Sequence, residues 1–169
     1  IEVHHATLCR LSEEAEEGEF RHRLSEVDAY VTGTPLSQRF LNIATTPGWN
    51  VHEFGLFLNQ YLAVLKTLLR SENPMLELTQ ADERLPDSFI DAVPHNIVIA
   101  PDGTPSLIDV EWEVPDGVEL GHLLLRSLLL LIANASPFHP SIAPLSRRSF
   151  VLESLHSAGI SVSDDDLRR

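Results

Sequence analysis

Three polar residues with the chemistry of phosphoryl transfer flank two short apolar segments in the middle of the chain. Asp91 and Asn96 border a loop that precedes the apolar segment 97–99, and Asp109 follows the next apolar segment. In phosphoryl transfer, one carboxylate orients the acceptor hydroxyl and takes its proton. An amide oxygen and a second carboxylate hold Mg²⁺ on the nucleotide phosphates. This combination of residue types therefore indicates a candidate phosphotransfer site.

A tight turn is expected to bring these residues together. The sequence Pro-Asp-Gly-Thr at 101–104 is typical of a β-hairpin turn between strands 97–99 and 106–110. Asn96 and Asp109 should then approach each other at the same end of the hairpin, and the loop is short enough to bring Asp91 there. Glu111 adds a further carboxylate beside this cluster. Hard oxygen ligands of this kind suit Mg²⁺.

The surrounding sequence predicts a mainly helical frame. Residues 49–71 carry apolar side chains at spacings of three and four, which is typical of an amphipathic helix. Asn50 is the predicted N-cap, and Glu53 completes a capping box. A shorter helix is predicted over residues 36–44, capped by Thr34 or Ser37. Two further helices are predicted over residues 118–135 and 146–158.

The N-terminal part predicts a β-hairpin instead. Residues 2–10 and 19–31 alternate between apolar and polar side chains, and the acidic stretch 13–18 is the predicted turn. Thr32-Gly33-Thr34-Pro35 ends the second strand. No internal repeat or low-complexity linker divides the chain, so we expect an α+β fold.

Composition limits the possible functions. The chain has 43% hydrophobic residues and a net charge of −13, which argues against broad binding to nucleic acid or to an anionic membrane. The longest apolar run, 123–133, contains Arg126 and is too short for a membrane span. The single cysteine, Cys9, excludes a disulfide within the chain and a thiolate metal site. None of the eight histidines has a partner at ligand spacing. These features favour a reducing, cytoplasmic location.

The central segment resembles a known family of folds. Asp91 and Asn96 have the Asp-x-x-x-x-Asn spacing of the protein-kinase catalytic loop, and Asp109 follows after a hairpin. The segment 108–112, Ile-Asp-Val-Glu-Trp, is similar to the Ile-Asp-x-Glu segment of aminoglycoside phosphotransferases and choline kinases. Residues 30–36 resemble the hinge between their lobes. The pattern is also similar to kinase-like domains attached to bacterial polysaccharide methyltransferases.

This resemblance implies a role for each site residue. Asp91 would be the catalytic carboxylate, Asn96 and Asp109 would hold Mg²⁺, and Glu111 would assist the metal site. The adenine of ATP would meet the backbone of Asp28, Ala29, Tyr30 and Val31. The implied fold is the protein-kinase-like C-terminal lobe over residues 34–169. A remnant N-lobe β-hairpin and the hinge would occupy residues 1–33, in one structural unit with that lobe.

Other residues depart from the family pattern. Phe89 stands where these families usually have histidine, and Lys66, the only lysine, falls inside a predicted helix. No two glycines lie within three residues of each other, so a glycine-rich phosphate loop is absent. Because the chain starts at Ile1 rather than Met, we expect either that an upstream segment supplies the missing lobe or that the fold has degenerated.

Three functions follow from these observations. The first is a kinase-like module that transfers phosphate from ATP-Mg²⁺ to a hydroxyl of a small molecule or glycan, complete only with the upstream lobe. The second is a non-catalytic kinase-like scaffold attached to a methyltransferase or glycosyltransferase. The third is an interaction domain in which the motif arose by chance. An exposed face left by a missing lobe would favour a homodimer.

Several residues also have simpler interpretations. Asp91 and Asn96 are good loop-capping residues, and Trp112 is expected to pack in the core. His95 could contact phosphate or acceptor, or lie at the surface of its loop. Arg126 is expected to pair with a buried carboxylate, Glu119 or Glu111.

Overall fold

The described part of the chain is an α+β fold of four α-helices and small antiparallel sheets. The computed structural model describes the backbone of residues 15–17 and all of residues 20–22, 30–70 and 76–162. The helices are α1 (Ser37–Ala44), α2 (Val51–Leu69), α3 (Leu120–Asn134) and α4 (Arg147–Ser157). The strands are β1 (Ala15–Glu17), β2 (Phe20–His22), β3 (Thr34–Pro35), β4 (Arg84–Leu85), β5 (Ile97–Ile99), β6 (Pro105–Leu107), β7 (Trp112–Glu113) and β8 (Val118–Glu119). Within these residues, no helix has both the length and the apolarity to cross a membrane.

Helix α2 forms the centre of the core. The predicted stripe is buried as expected, and the predicted capping box is present, with the Asn50 backbone N–H donating to Glu53 Oε2 at 2.9 Å. The helix also packs closely on α4. An added Cβ at Gly55 would collide with Ser157, so the absence of a side chain at residue 55 permits this contact.

The predicted central hairpin is present, with a shorter second strand. Strands β5 and β6 pair in antiparallel register, with Ile97 opposite Leu107, and Gly103 in the turn has φ +87°. The return strand was expected to continue to Val110 but ends at Leu107. The Ile108 N–H still donates to the Asn96 carbonyl in the same register, at 2.8 Å, and the extended conformation ends where Asp109 takes a left-handed φ of 56°.

The start of α1 is fixed by neighbouring strands rather than by a polar cap. Its N-cap is Leu36, so the predicted caps Thr34 and Ser37 were wrong. Leu36 is buried, and its N–H donates to the Ile97 carbonyl at 2.9 Å. Thr34 is paired with Ile99 in the β3–β5 sheet, which places it outside capping position.

The other two predicted helices differ only at their ends. Helix α3 begins at Leu120 because the two preceding residues, β8, pair with β4. Helix α4 begins after Ser146, whose side chain accepts the Ser149 N–H at 3.0 Å.

The N-terminal hairpin has a different register from the predicted one. Strand β1 lies within the acidic stretch 13–18 that was expected to form the turn, and Ala15 pairs with His22 of β2. The predicted strand over residues 2–10 lies outside the described residues. Strand β2 also pairs with β7, placing His22 opposite Trp112. The hairpin is therefore joined to the segment that follows Asp109.

Candidate active site around Asp91

The loop from Asp91 to Asn96 is closed by its own hydrogen bonds. The Asn96 side-chain Nδ2 donates to the Asp91 carbonyl at 3.1 Å, and the Asn96 backbone N–H donates to the Val93 carbonyl at 2.9 Å. The first residue of α1, Ser37, donates its N–H to the Pro94 carbonyl at 3.0 Å. These bonds give the loop a single defined conformation at the base of the β5–β6 hairpin.

A buried tyrosine on α2 holds the same loop in place. Tyr61 on α2 donates its hydroxyl to the Ala92 carbonyl at 2.6 Å, and the hydroxyl lies 3.0 Å from Ser127 Oγ on α3. Burial raises the pKa of Tyr61, so the hydroxyl stays protonated and acts as a donor. The sequence alone did not indicate this contact. The available signal was a polar hydroxyl on the apolar face of α2, since a buried tyrosine needs a partner.

The carboxylate of Asp91 lies inside the fold. Asp91 is only 4% exposed. Its Oδ2 accepts two backbone N–H groups, from Glu111 at 2.9 Å and from Trp112 at 2.8 Å. Its Oδ1 lies 3.9 Å from Arg126 Nη2 on α3. Asp91 therefore ties the segment after Asp109 to the loop, and one oxygen is fully used in doing so.

Burial dominates the ionisation of this carboxylate. It raises the pKa of Asp91 above its usual value, against the opposing effects of the Trp112 N–H and the Arg126 charge. The negative charge of Asp109 adds to the upward shift, and His22 opposes it. A raised pKa is the property required of a carboxylate that takes a proton near neutral pH.

Asp109 is brought to the same region. It is exposed, and its charge acts on Asp91 strongly enough to affect the pKa of that residue. The bond from Ile108 to the Asn96 carbonyl places Asp109 one residue beyond the link between the two segments. The structure thus brings Asp91, Asn96 and Asp109 to one end of the hairpin, as the turn predicted.

The oxygen donors of this cluster fit a Mg²⁺ ion better than they fit a transition metal. Among the residues that the structure describes, no three side chains of His, Cys, Asp or Glu are grouped to hold a metal. Mg²⁺ usually takes only one or two carboxylates and completes its shell with water and phosphate oxygens. The Nδ2 of Asn96 is engaged with Asp91, which leaves Oδ1 as its metal-binding end. Asn96 and Asp109 could therefore hold the ion.

Glu111 has a different neighbour. Its Oε2 lies 3.5 Å from Nε2 of His22, and the His22 ring packs on Trp112 with centroids 4.5 Å apart. The sequence did not indicate this partner for His22, because the two residues meet only through the β2–β7 pairing. The assistance of Glu111 at a metal site stays a prediction.

The expected adenine contacts are described only in part. Tyr30 is 93% exposed and Val31 is half-buried, while Asp28 and Ala29 lie outside the described residues. Residue 33, two positions after Val31, lies close to the β5–β6 hairpin, because an added Cβ at Gly33 would collide with the Ile99 carbonyl. The hinge-like segment is therefore seated against strand β5.

Three further residues that the sequence singled out have defined surroundings. Phe89 is 4% exposed and belongs to the core, so its ring fills the space where a polar histidine was expected. Lys66 lies on α2 with its Nζ 3.7 Å from Glu77, which removes it from the site. His95 is half-buried in the loop, and burial lowers its pKa.

Arg126 pairs with a different carboxylate from those expected. It was expected to pair with Glu119 or Glu111, but its nearest described carboxylate oxygen belongs to Asp91. Glu119 pairs instead with Arg84 at 3.3 Å, because β4 and β8 bring these residues opposite each other. Trp112 is half-buried and packs against the core, as expected.

Comparisons with known proteins add no family to this description. No protein-family model matches the chain, and no curated protein or solved structure matches it.

Proposed function

We propose that this chain is a kinase-like phosphotransferase module that acts on a hydroxyl of a small molecule or glycan with ATP-Mg²⁺. In this proposal Asp91 orients the acceptor hydroxyl and takes its proton. Asn96 and Asp109 hold Mg²⁺ on the nucleotide phosphates, and the hinge-like segment at Tyr30 and Val31 meets the adenine. When bound, Mg²⁺ would neutralise the charge that develops on the transferred phosphoryl group.

One observation carries the proposal. Asp91, Asn96 and Asp109 are tied into a single unit by the bonds from Asn96 Nδ2 to the Asp91 carbonyl and from the Ile108 N–H to the Asn96 carbonyl. Phosphoryl transfer depends on positioning and electrostatics rather than on covalent chemistry by the protein. Oxygen donors that are held in position before the substrates bind are therefore the essential component.

The lysine that contacts the nucleotide phosphates in a kinase-like site would come from outside the described site. Lys66, the only lysine, lies near the C-terminal end of α2, and its Nζ is 3.7 Å from Glu77 Oε2. A kinase-like site also needs a lysine on the phosphates and a loop that covers them. We therefore propose that a second lobe, or an adjoining domain, completes the site.

Mg²⁺-dependent ATP binding tests this proposal. It should be measured by calorimetry on the chain and on the full product of the gene that contains it, with and without Mg²⁺. Asp109→Asn should weaken Mg²⁺-dependent binding by about tenfold or more, because one charged ligand of the ion is lost. Asp82→Asn is the matched control, since Asp82 is an exposed carboxylate outside the cluster. Binding unchanged by Asp109→Asn would refute the metal role.

The burial of Asp91 favours a second candidate function, a non-catalytic scaffold. In this second function, a carboxylate that is 4% exposed and accepts the N–H groups of Glu111 and Trp112 would serve to fix the fold. In that case Asp91→Asn would lower the unfolding free energy, and the full gene product would neither bind nor hydrolyse ATP. Phosphoryl transfer by the wild type, lost in a folded Asp91→Asn variant, would exclude the scaffold.

A further inference from the structure

A pocket beside the site contains the guanidinium of Arg126, which has a hydrogen-bond donor without a partner among the described residues. It has a volume of about 380 Å³ and is lined by Phe20, Ile90, Trp112, His122 and Arg126. This volume falls within the about 300–1,000 Å³ typical of small-molecule sites, which combine apolar walls with a few polar groups. Its walls are mainly aromatic and aliphatic, so the guanidinium is the only permanent charge among the lining residues.

The guanidinium of Arg126 has unused donor capacity. Its Nη2 meets Asp91 Oδ1 at 3.9 Å, the outer limit of an ion pair, and the better-placed N–H groups of Glu111 and Trp112 already bind the other oxygen of Asp91. The Nε of Arg126 is enclosed and has no hydrogen-bond partner within the described part of the chain. The side chain is still 35% exposed, and this exposure belongs to atoms other than Nε. A guanidinium has five donors in a planar fork that matches a carboxylate or phosphate.

The aromatic wall of the pocket is open to a ligand. Phe20 is 45% exposed and meets Trp112 edge to face, with centroids 6.5 Å apart. An aromatic pair beside a cation, with Phe20 exposed and Trp112 half-buried, suits a ligand that has an apolar or aromatic body and a negatively charged end. The net charge of −13 would otherwise repel such a ligand, which makes the local guanidinium necessary for binding.

We propose that this pocket binds a small organic anion, with its carboxylate or phosphate on Arg126 and its apolar body against Phe20 and Trp112. The site is distinct from the proposed Mg²⁺ position at Asn96 and Asp109. The proposal does not depend on phosphotransfer, because binding is measured directly. Both phosphate monoesters and carboxylates carry the required anionic end.

The two tryptophans of the chain make the test specific. Trp112 lines this pocket, whereas Trp49 lines another pocket and donates its indole N–H to the His139 carbonyl at 2.6 Å. The probes are phenyl phosphate, benzoate and the neutral benzyl alcohol, titrated in the absence of metal while the two indole N–H signals are followed by NMR. We expect phenyl phosphate, benzoate or both to shift the Trp112 signal but not that of Trp49, and benzyl alcohol to shift neither. Whichever anion binds more tightly identifies the preferred end group.

Variants separate the charged end of the site from its apolar wall. Arg126→Gln should weaken binding of the anions by about tenfold or more. Arg39→Gln is the matched control, since Arg39 is an exposed arginine on α1. Phe20→Ala should weaken the binding of phenyl phosphate and leave the binding of inorganic phosphate unchanged. This variant tests the site even where Arg126→Gln fails to fold. An unshifted Trp112 signal at millimolar anion would overturn the proposal, as would equal affinity in Arg126→Gln and Arg39→Gln or equal binding of benzyl alcohol.

Discussion

Single buried residues define the geometry of the candidate site. Asp91 joins the loop to the segment after Asp109, and Tyr61 joins the loop to α2 and α3. Tyr61 has two partners and Asp91 has three, and each side chain lies in surroundings where an unpaired polar group is costly. The positions of Asn96 and Asp109 therefore depend in part on Tyr61, a residue that is not expected to contact a substrate.

The Tyr61 hydroxyl gives the clearest prediction at this scale. Tyr61→Phe should lower the unfolding free energy by about 1–3 kcal/mol, because the Ala92 carbonyl and Ser127 hydroxyl lose a buried partner. Urea unfolding would measure the loss. Tyr30→Phe is the control, since Tyr30 is 93% exposed. If the two variants were equally stable, the hydroxyl would have no role in holding the loop.

At the scale of elements, a three-stranded sheet connects the hinge-like segment to the site. Strand β3 pairs with β5, and β5 pairs with β6, so the chain before α1 is fixed to the hairpin that leads from Asn96 to Asp109. A second sheet joins β2 to β7 just after Glu111. Two separate backbone pairings thus hold the site from opposite ends of its sequence.

The close approach at Gly33 can be tested directly. Gly33→Ala places a Cβ against the Ile99 carbonyl, a backbone atom that cannot rotate away, and should cost about 2–3 kcal/mol. Gly103→Ala is the comparison, because Gly103 has φ +87° but open space around it. That change should cost about 1–2 kcal/mol of backbone strain only. Thermal and urea unfolding would rank the two, and a more stable Gly33→Ala variant would contradict the close approach.

At the scale of the whole molecule, stability depends on pH through two carboxyl groups whose pKa values are shifted in opposite directions. Burial raises the pKa of Asp91 above its ordinary 3.8. Burial would also raise the pKa of Glu83, but the N–H groups of Gln80, Thr79 and Leu78 together lower it below 4.5. The first carboxylate makes the native state bind more protons than the unfolded state, and the second makes it bind fewer.

These two carboxylates should give pH profiles of opposite slope. As pH rises above 3.8, the stability difference between wild type and Asp91→Asn should shift against the wild type, because the native state must release a proton that it holds more tightly than the unfolded chain. As pH falls below 4.5, the stability advantage of the wild type over Glu83→Gln should decline. Glu83 then becomes protonated and its hydrogen bonds from the backbone N–H groups of residues 78–80 weaken. Urea unfolding with a chelator present would give both profiles. Profiles of the same sign would show that one of the environments is wrongly described.

The local sequence was sufficient where neighbouring residues decide the conformation. The apolar stripe and the Asn50–Glu53 pair predicted α2, and the Asp-Gly turn predicted the β5–β6 hairpin. The meeting of Asp91, Asn96 and Asp109 followed from that turn, because the hairpin fixes the distance between its own ends. The same local signals failed at the start of α1, where a buried leucine and a strand contact replaced a polar cap.

The sequence by itself determined the α+β class, the main helices, the central hairpin and the group of oxygen donors at one end of it. Only the tertiary structure decided the partners of these groups: Arg126 with Asp91, Tyr61 with Ala92, and His22 with Glu111. The physical reason is separation along the chain. Helical periodicity and turn chemistry act over a few residues, whereas these contacts join segments more than thirty residues apart and depend on how whole elements pack. The pocket at Arg126 belongs to the second group, because its walls come from β2, β7, α3 and the 3₁₀ turn Asp87–Asp91.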